Sequence, residues 1–477
     1  MKLISSLLVF ALLLLSASVR GNELPELGDV SQGALSPAQE RRFGEAIMRQ
    51  IRSSPAYLDD PEVSDYLNSI GYRLAANSPD PGGHFEFFAV DDNTVNAFAL
   101  PGGFIGVHTG LILTAQSESE LASVLGHEIA HVTQRHIARM ISAQQRSGLA
   151  SMAALAVAIL AARSNAQLSQ AAIVAAQAGS IQSALNFSRE HERESDRIGL
   201  QIVEKSGFDP HAMPAFLERL QRSSRLYESG APSYMRTHPL TFERVADVQN
   251  RTQSMPYRQV PDSTDYHLVR ARLQAAQGTP REAAEVFETR LRDKKYVSEP
   301  AMHYGRAVAL MRANAHEQAL EAVAELQRLA GDHPMVKALA ADLLVRTGDV
   351  AQGLAMYESA LAAHPRRRAL VFGYARALLE RDRPEQAVEF LSKQMERGPV
   401  EPRHYELQAR GYDALGQKLM RHRAQAEAYL LKGSLAAAIE QLRLAQSSGD
   451  GDFFQKSSVE ARLKELVALD AELRRRD

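Results

Sequence analysis

The 477-residue chain has no cysteine, no tryptophan, almost no net charge and no apolar run as long as a membrane span. Each absence closes a class of explanation. Without cysteine there are no disulfides, no thiolate metal ligands and no lipid attached at a cysteine, so any metal must be held by His, Asp or Glu. A net charge of -2 gives no general reason to expect nucleic acid as a partner. Aromatic residues make up only 6% of the chain, which fits a mostly helical protein rich in alanine and leucine. The apolar run at residues 149–162 is 14 residues long, where a bilayer core of about 30 Å needs roughly 20. At this length the chain exceeds one ordinary core and should divide into two or three domains.

The start of the chain reads MKLISSLLVFALLLLSASVRGNELPE, with one Lys, an apolar stretch over residues 3–15, then small and polar residues. This is the pattern of a secretory signal peptide. Val19 and Gly21 suit the two small-residue positions before cleavage near Gly21/Asn22, and a bacterial periplasmic protein is expected.

Ser36-Pro37-Ala38-Gln39 and Asp60-Pro61 each predict a capped helix start. Over residues 84–112 the period changes to aromatic and β-branched runs broken at Asp91-Asp92-Asn93 and Pro101-Gly102-Gly103, which predicts about three short strands. Ser117-Glu118-Ser119-Glu120 then offers a capping box for the helix containing LASVLGHEIAHV. His127 and His131 stand four apart on one face, about 6 Å from each other, and both can reach one ion. Glu128 lies roughly 100° further round, where it can hold a water bound to that ion. This is the HExxH arrangement of two imidazole ligands and a glutamate general base.

A second helical stretch, NFSREHERESDRIGLQIV, places Glu192 and Asp196 on one face. Taken alone it is a solvated helix laced with Arg189, Glu190, Arg193, Glu194 and Arg197. Beside HExxH it supplies what a zinc hydrolase needs, a third ligand from Glu192 that leaves the fourth position open, with Asp196 accepting a hydrogen bond from a ligand imidazole. His136, five beyond His131, extrapolates to the surface, and His108 falls on a predicted strand near the helix.

Taken together, VNAFALPGGFIGVHTGLI, SELASVLGHEIAHVTQRH, SREHERESDRIG and THPLTFERV resemble the gluzincin-type zinc metallopeptidases that include the CAAX prenyl protease and the membrane heat-shock protease HtpX. With a signal peptide and a C-terminal repeat array in place of transmembrane helices, the chain is most similar to those members that work in the bacterial periplasm. The resemblance implies that His127, His131 and Glu192 bind one Zn2+ per chain, that Glu128 is the catalytic base and that Asp196 supports a ligand. It also implies that His238, in Thr237-His238-Pro239, can take the fourth zinc position and hold the enzyme latent, and it aligns Arg244 with the arginine of the last motif. Ser195 departs from the family's usual alanine. By residue pattern alone, His238 is a loop histidine before a proline.

Clefts of this kind bind an extended polypeptide along an edge strand, for which residues 96–100, with Asn96, Ala97 and Phe98, are preferred over residues 104–107. The apolar stretch within residues 147–188 is expected as a helical pair over the site, with a mobile flap or membrane contact as alternatives.

From residue 266 onward, REAAEVF, EQALEAV, AQGLAMY and EQAVEFL align so that Ala284, Ala319, Gly353 and Ala387 are spaced 35, 34 and 34 apart, the tetratricopeptide period. Pro334, Pro365 and Pro399 are expected to stop second helices, and AAAIEQL, 51 residues on at Ala438, to begin an imperfect last unit. Such arrays bind segments of other proteins.

The expected fold is therefore an α+β zincin-like metallopeptidase domain, mostly helical with a small sheet, followed by an all-α tetratricopeptide solenoid. The expected boundaries are residues 1–21 for the signal peptide, 22–262 for the peptidase and 263–477 for the repeats. The resemblance implies an exported endopeptidase with chaperone activity, acting on misfolded or stalled outer-membrane β-barrel proteins and docking on the barrel-assembly machinery through its repeats, with peripheral membrane contact possible and no nucleic acid. The competing reading is a chaperone or adaptor in which the zinc site is structural or latent.

Overall fold

The computed structural model describes residues 35–143, 189–224 and 233–474. The expected signal peptide and the apolar stretch at residues 147–188 lie outside these. No described helix is long and apolar enough to cross a membrane.

The first helix, α1 (Pro37–Ser53), begins as its sequence dictates. Ser36 accepts from the Gln39 amide, Gln39 returns a bond to the Ser36 amide, and Pro37 fills the first turn. In α2 (Pro61–Ala75) the Asp60 carboxylate accepts from the amides of Glu62 and Val63. Three strands follow, β1 (Glu86–Val90), β2 (Ala97–Leu100) and β3 (Phe104–His108). They form one sheet in the order β1-β3-β2, with β3 parallel to β1 and antiparallel to β2. β2 is thus an edge strand. The turn into β3 needs glycine, since a Cβ on Gly103 (φ +86°) would overlap the His84 carbonyl oxygen.

After the short α3 (Thr109–Thr114) comes α4 (Glu118–Thr133), the HExxH helix, buried along nearly its whole length. Its predicted capping box is only half formed. Ser117 accepts from the Glu120 amide, but the Glu120 carboxylate reaches past the cap to the Gln116 amide and to Arg219. The chain continues through α5 (His136–Ala143), α6 (Arg189–Lys205), α7 (Ala212–Ser224), α8 (Ser233–Thr237) and α9 (Phe242–Gln253).

Twelve helices then run from α10 (Thr264–Ala276) to α21 (Phe453–Arg474) as six successive antiparallel pairs. The aligned small positions lie at tight helix contacts. Ala319 and Ala387 are fully buried, and a Cβ on Gly353 would come within 2.7 Å of Val345 and 2.9 Å of the Ala341 carbonyl. Two expectations shift. Pro334 opens a helix, α14 (Pro334–Thr347), at its first position, where its missing N–H costs nothing. Ala438 does begin the last unit, on α20 (Leu435–Ser447), the first helix of the sixth pair, but the interval before it, expected to hold one helix or a long loop over about residues 406–423, holds two helices, Pro402–Ala414 and Lys418–Leu431.

The array folds back on the preceding helices. Glu118, at the start of α4, accepts from the Ser263 amide (2.9 Å) and hydroxyl (2.7 Å) and from the Tyr66 hydroxyl. Arg272 pairs with Asp60 at 2.6 Å, and the Arg368 amide donates to Asp65. One apolar cluster runs from Val63 through α4 and α6 to Leu343 in α14.

Candidate metal centre

The centre is built where α4 and α6 cross at two glycines. A Cβ on Gly199 would lie 2.9 Å from the His127 nitrogen and 3.0 Å from its Cα, and one on Gly126 would lie 3.0 Å from the Gly199 oxygen. Only glycine lets the two backbones touch in this way. The contact sets Glu192, two turns up α6, opposite His127 and His131. The α8 turn adds His238, whose amide donates to the Tyr234 carbonyl and whose ring stacks on Tyr234 at 4.6 Å.

Donor atoms of His127, His131, Glu192 and His238 all lie within 4.8 Å of one another, and all four residues are buried. His127 Nε2 is 3.0 Å from His131 Nε2, 3.5 Å from Glu192 Oε2 and 3.4 Å from His238 Nδ1. Glu192 Oε1 is 3.4 Å from His131 Nε2 and 3.1 Å from His238 Nδ1. Four donors about 2.0–2.1 Å from a tetrahedral ion stand roughly 3.3 Å apart, so these spacings fit a cation at the centre. Imidazole lone pairs that converge this closely also require a proton or a cation between them. The residues present therefore fit a metal held by three nitrogens and a carboxylate, or by two nitrogens and the carboxylate with His238 withdrawn.

Glu128 lies beside the cluster, with Oε1 3.4 Å from His238 Nε2. Neither of its oxygens has a hydrogen-bond partner among the described residues, although the residue is fully buried. Burial pushes its carboxyl up, against the pull of His238 and His127, and the backbone of Ala99 on the edge strand also acts on it. His127 Nδ1 lies 3.0 Å from Asp196. Asp196 is gripped by Arg244 through two nitrogens, at 2.7 and 2.8 Å, and the same guanidinium meets Glu192 at 2.6 Å and the Pro239 carbonyl at 2.9 Å. Burial would raise both carboxyls, but His238 and Arg244 hold Glu192 well below the usual range, and Arg244 with His127 lowers Asp196. His127 itself is raised to about 10: burial opposes its charge, but Asp196 and Glu192 outweigh burial.

The structure thus gathers seven of the residues read from the sequence, His127, Glu128, His131, Glu192, Asp196, His238 and Arg244. The strand residues divide. Ala97 packs with Ala99 toward α4, but Phe98 turns to the opposite face with Ile47 and Met48 of α1. Asn96, just before β2, is buried and gives its carbonyl to the His108 amide. Alternation along a strand forces this split, so on this edge only backbone and alanine face the centre. Helix α8 meets the outer edge through a bond from the Tyr234 amide to the Val95 carbonyl at 3.1 Å. His108 is buried beside Thr94 at 2.9 Å and stacks edge-on with Phe98, away from the centre.

His136 corrects the sequence reading most clearly. Extrapolated along one helix it would be on the surface, but it is fully buried, 2.9 Å from His131. The helix ends at Thr133, and Arg135 takes a left-handed φ of +51°, which turns the chain back toward the centre. Arg135 is fixed there by Glu40 and by the Leu35 carbonyl. Tyr234 was also missed; its signal is the position four before His238.

Against known proteins, the model for Peptidase family M48 matches residues 61–252, which hold every residue of the centre. Tetratricopeptide repeat models match residues 259–334 and 344–411. The chain is 33% identical over 454 residues to the beta-barrel assembly-enhancing protease of Escherichia coli K12, covering 94% of this chain and 91% of that one. It is 31% identical over 484 residues to the protein of that description in Yersinia pestis, covering 99% and 98%. A partial likeness, 32% over 219 residues and 45% of this chain, is to the mitochondrial metalloendopeptidase OMA1 of Arabidopsis thaliana, 41% of which is covered. The repeats lie outside the M48 match, yet full-length relatives share them, so the chain belongs with the beta-barrel assembly-enhancing proteases in the M48 family of metallopeptidases.

Proposed function

We propose that the protein is an exported zinc endopeptidase that cleaves misfolded or stalled outer-membrane β-barrel proteins, with the repeat array docking it on the barrel-assembly machinery and lending chaperone activity. The observation that carries this is the buried convergence of His127, His131 and Glu192 beside the buried Glu128 carboxylate, next to an edge strand. His127, His131 and Glu192 would hold the zinc, which supplies Lewis acidity toward water and a peptide carbonyl. Glu128 takes the proton of the attacking water as the C–O bond forms and passes it to the leaving amine as the C–N bond breaks. A carboxyl raised by burial is suited to both transfers near neutral pH. Asp196, held by Arg244, keeps His127 in the tautomer that a ligand needs. The backbone of residues 96–98 takes substrate as an added strand. His238 would fill the fourth position on the ion until α8 moves, and the periplasm is the place of action.

The test measures zinc per chain and proteolysis of an unfolded β-barrel protein, for the parent, Glu128→Gln and His238→Ala. The proposal expects zinc in all three, loss of cleavage in the first variant and a gain, self-cleavage included, in the second. Cleavage surviving in Glu128→Gln would remove the catalytic assignment. A second reading has one observation in its favour: four buried protein donors can saturate a tetrahedral ion, as structural zinc sites do. On that reading the array works as a chaperone, and none of the three proteins cleaves.

A further inference from the structure

The two HExxH imidazoles are supported differently. His127 Nδ1 meets a carboxylate directly, Asp196 at 3.0 Å, whereas His131 Nδ1 meets another imidazole, His136 Nδ1 at 2.9 Å. His136 Nε2 in turn lies 3.0 Å from Glu194 Oε2, and Arg139 reaches the same oxygen at 3.0 Å. His191 stacks on the His136 ring at 4.3 Å and 18°, which fixes its plane.

We propose that His136 and Glu194 are positioning residues of the metal centre, forming a two-link hydrogen-bonded chain that sets the tautomer and ring orientation of His131. This rests on the reading of His131 as a ligand and adds residues that the motif does not contain. The protons can be placed by counting. His131 Nε2 faces the other donors, so as a ligand it carries a lone pair there and its one proton sits on Nδ1. That N–H donates to His136 Nδ1, which must therefore be the acceptor nitrogen of a neutral ring. The remaining proton of His136 is then on Nε2 and donates to the Glu194 carboxylate, whose charge Arg139 balances. Every link of this chain then has one donor and one acceptor.

Geometry explains why an imidazole stands between the ligand and the carboxylate. Glu194 is on α6 two residues beyond Glu192, so it points away from the ligand face and cannot reach His131 itself. The left-handed turn at Arg135 delivers His136 into the gap. Ser195 also enters, its hydroxyl 3.3 Å from His136 Nδ1, so the departure from the family's usual alanine adds a second donor to the acceptor that His131 uses.

The test compares the parent chain with His136→Phe, which keeps the ring shape without nitrogens, His136→Asn, which keeps an acceptor near Nδ1, Glu194→Gln and Ser195→Ala. Zinc loss to a chromogenic chelator, the ligand-field spectrum of the cobalt-substituted protein and melting of the metal-free protein are recorded. Loss of an outer partner of a metal-bound histidine typically weakens metal binding by about 10–100-fold. That loss is expected in His136→Phe with unchanged metal-free melting, partial recovery in His136→Asn, and a smaller loss in Glu194→Gln. Ser195→Ala should hold zinc at least as tightly as the parent. If His136→Phe does not fold, the part-exposed Glu194→Gln and the acceptor-retaining His136→Asn decide. Parental zinc affinity and cobalt spectra in both would overturn the chain. His131→Ala serves as the control: if it keeps full zinc affinity, the ligand reading itself has failed and the chain with it.

Discussion

The crossing of α4 and α6 and the helix pairs of the repeat array both depend on small residues, but they use closeness for different ends. At the crossing, Gly126 and Gly199 bring two backbones into contact, and the space beside them is filled with His127, His131, Glu192 and Asp196. In the array, Gly353 does the same and Ala319 and Ala387 are fully buried at the matching places, and the neighbouring space is filled with Leu, Val and Tyr side chains. A displacement of a few tenths of an ångström in the array costs packing alone. At the crossing the same displacement also moves donor atoms relative to one another.

The sharpest separation comes from a change that moves nothing. Glu128→Gln should lower turnover by about 100- to 10,000-fold, the usual contribution of a general base, while metal content and melting stay at parental values. Turnover within a few-fold of the parent would mean that the buried carboxylate is not the base. The next effect is on pH. In the metal-free protein His127 is raised to about 10, so below that pH it holds a proton that a metal must displace. Metal affinity should therefore climb about tenfold per pH unit between pH 7 and 9 for one released proton. A flat profile in a competition assay would show that His127 is neutral before metal arrives.

The comparison itself is tested by two matched substitutions. Gly199→Ala and Gly353→Ala each add one methyl at a contact where the nearest atoms are 2.9 Å or less away, and each should cost about 1–3 kcal/mol. Only Gly199→Ala should also weaken metal binding. If both leave metal affinity alone, the crossing is tuned no more finely than a repeat.

The smallest effect is at the junction of the two regions. Glu62 at the start of α2 is buried near Arg272 and Arg367, and burial raises its carboxyl from 4.5 to about 8 despite them. The folded state then keeps a proton that the unfolded chain gives up above pH 4.5, so stability is fullest below that value and falls as pH rises through about 8. Glu62→Gln should melt like the parent at pH 5 and a few degrees higher at pH 9.

How much of this was legible in the sequence follows the same division. His127, Glu128 and His131 announce themselves because a helix repeats on a fixed angle, and the 34-residue spacing of Ala319, Gly353 and Ala387 does the same for the array. Both readings use periodicity, which chain order carries directly. His238 follows the short α8 and Arg244 stands in the first turn of α9, places that no period links to the HExxH helix, and only likeness to a family points to them. Periodicity carried past Thr133 misplaces His136, because a single left-handed residue, Arg135, ends it. Phe98 can meet a substrate only through its backbone, since alternation sends its side chain to α1. The interval before Ala438 hides a whole helix pair for a related reason: with alanine common on both helices of a pair, spacing alone does not tell one helix from two.

The apolar cluster from Val63 to Leu343 has a practical meaning for anyone dissecting the molecule. The motifs change character near residue 262, yet the packing does not. A fragment ending there would expose the faces of α2, α3 and α4 that Tyr266, Arg270 and their neighbours cover, and should aggregate when expressed alone. A cut beyond α14 keeps that cluster whole but divides a second one, which starts at Ala338 on α14 itself and runs to Leu407; only the cluster from Leu419 to Leu466 lies wholly in the later pairs. In a calorimeter the catalytic half and the first repeats should melt as one transition, and grafting the array onto another enzyme should begin from the later pairs.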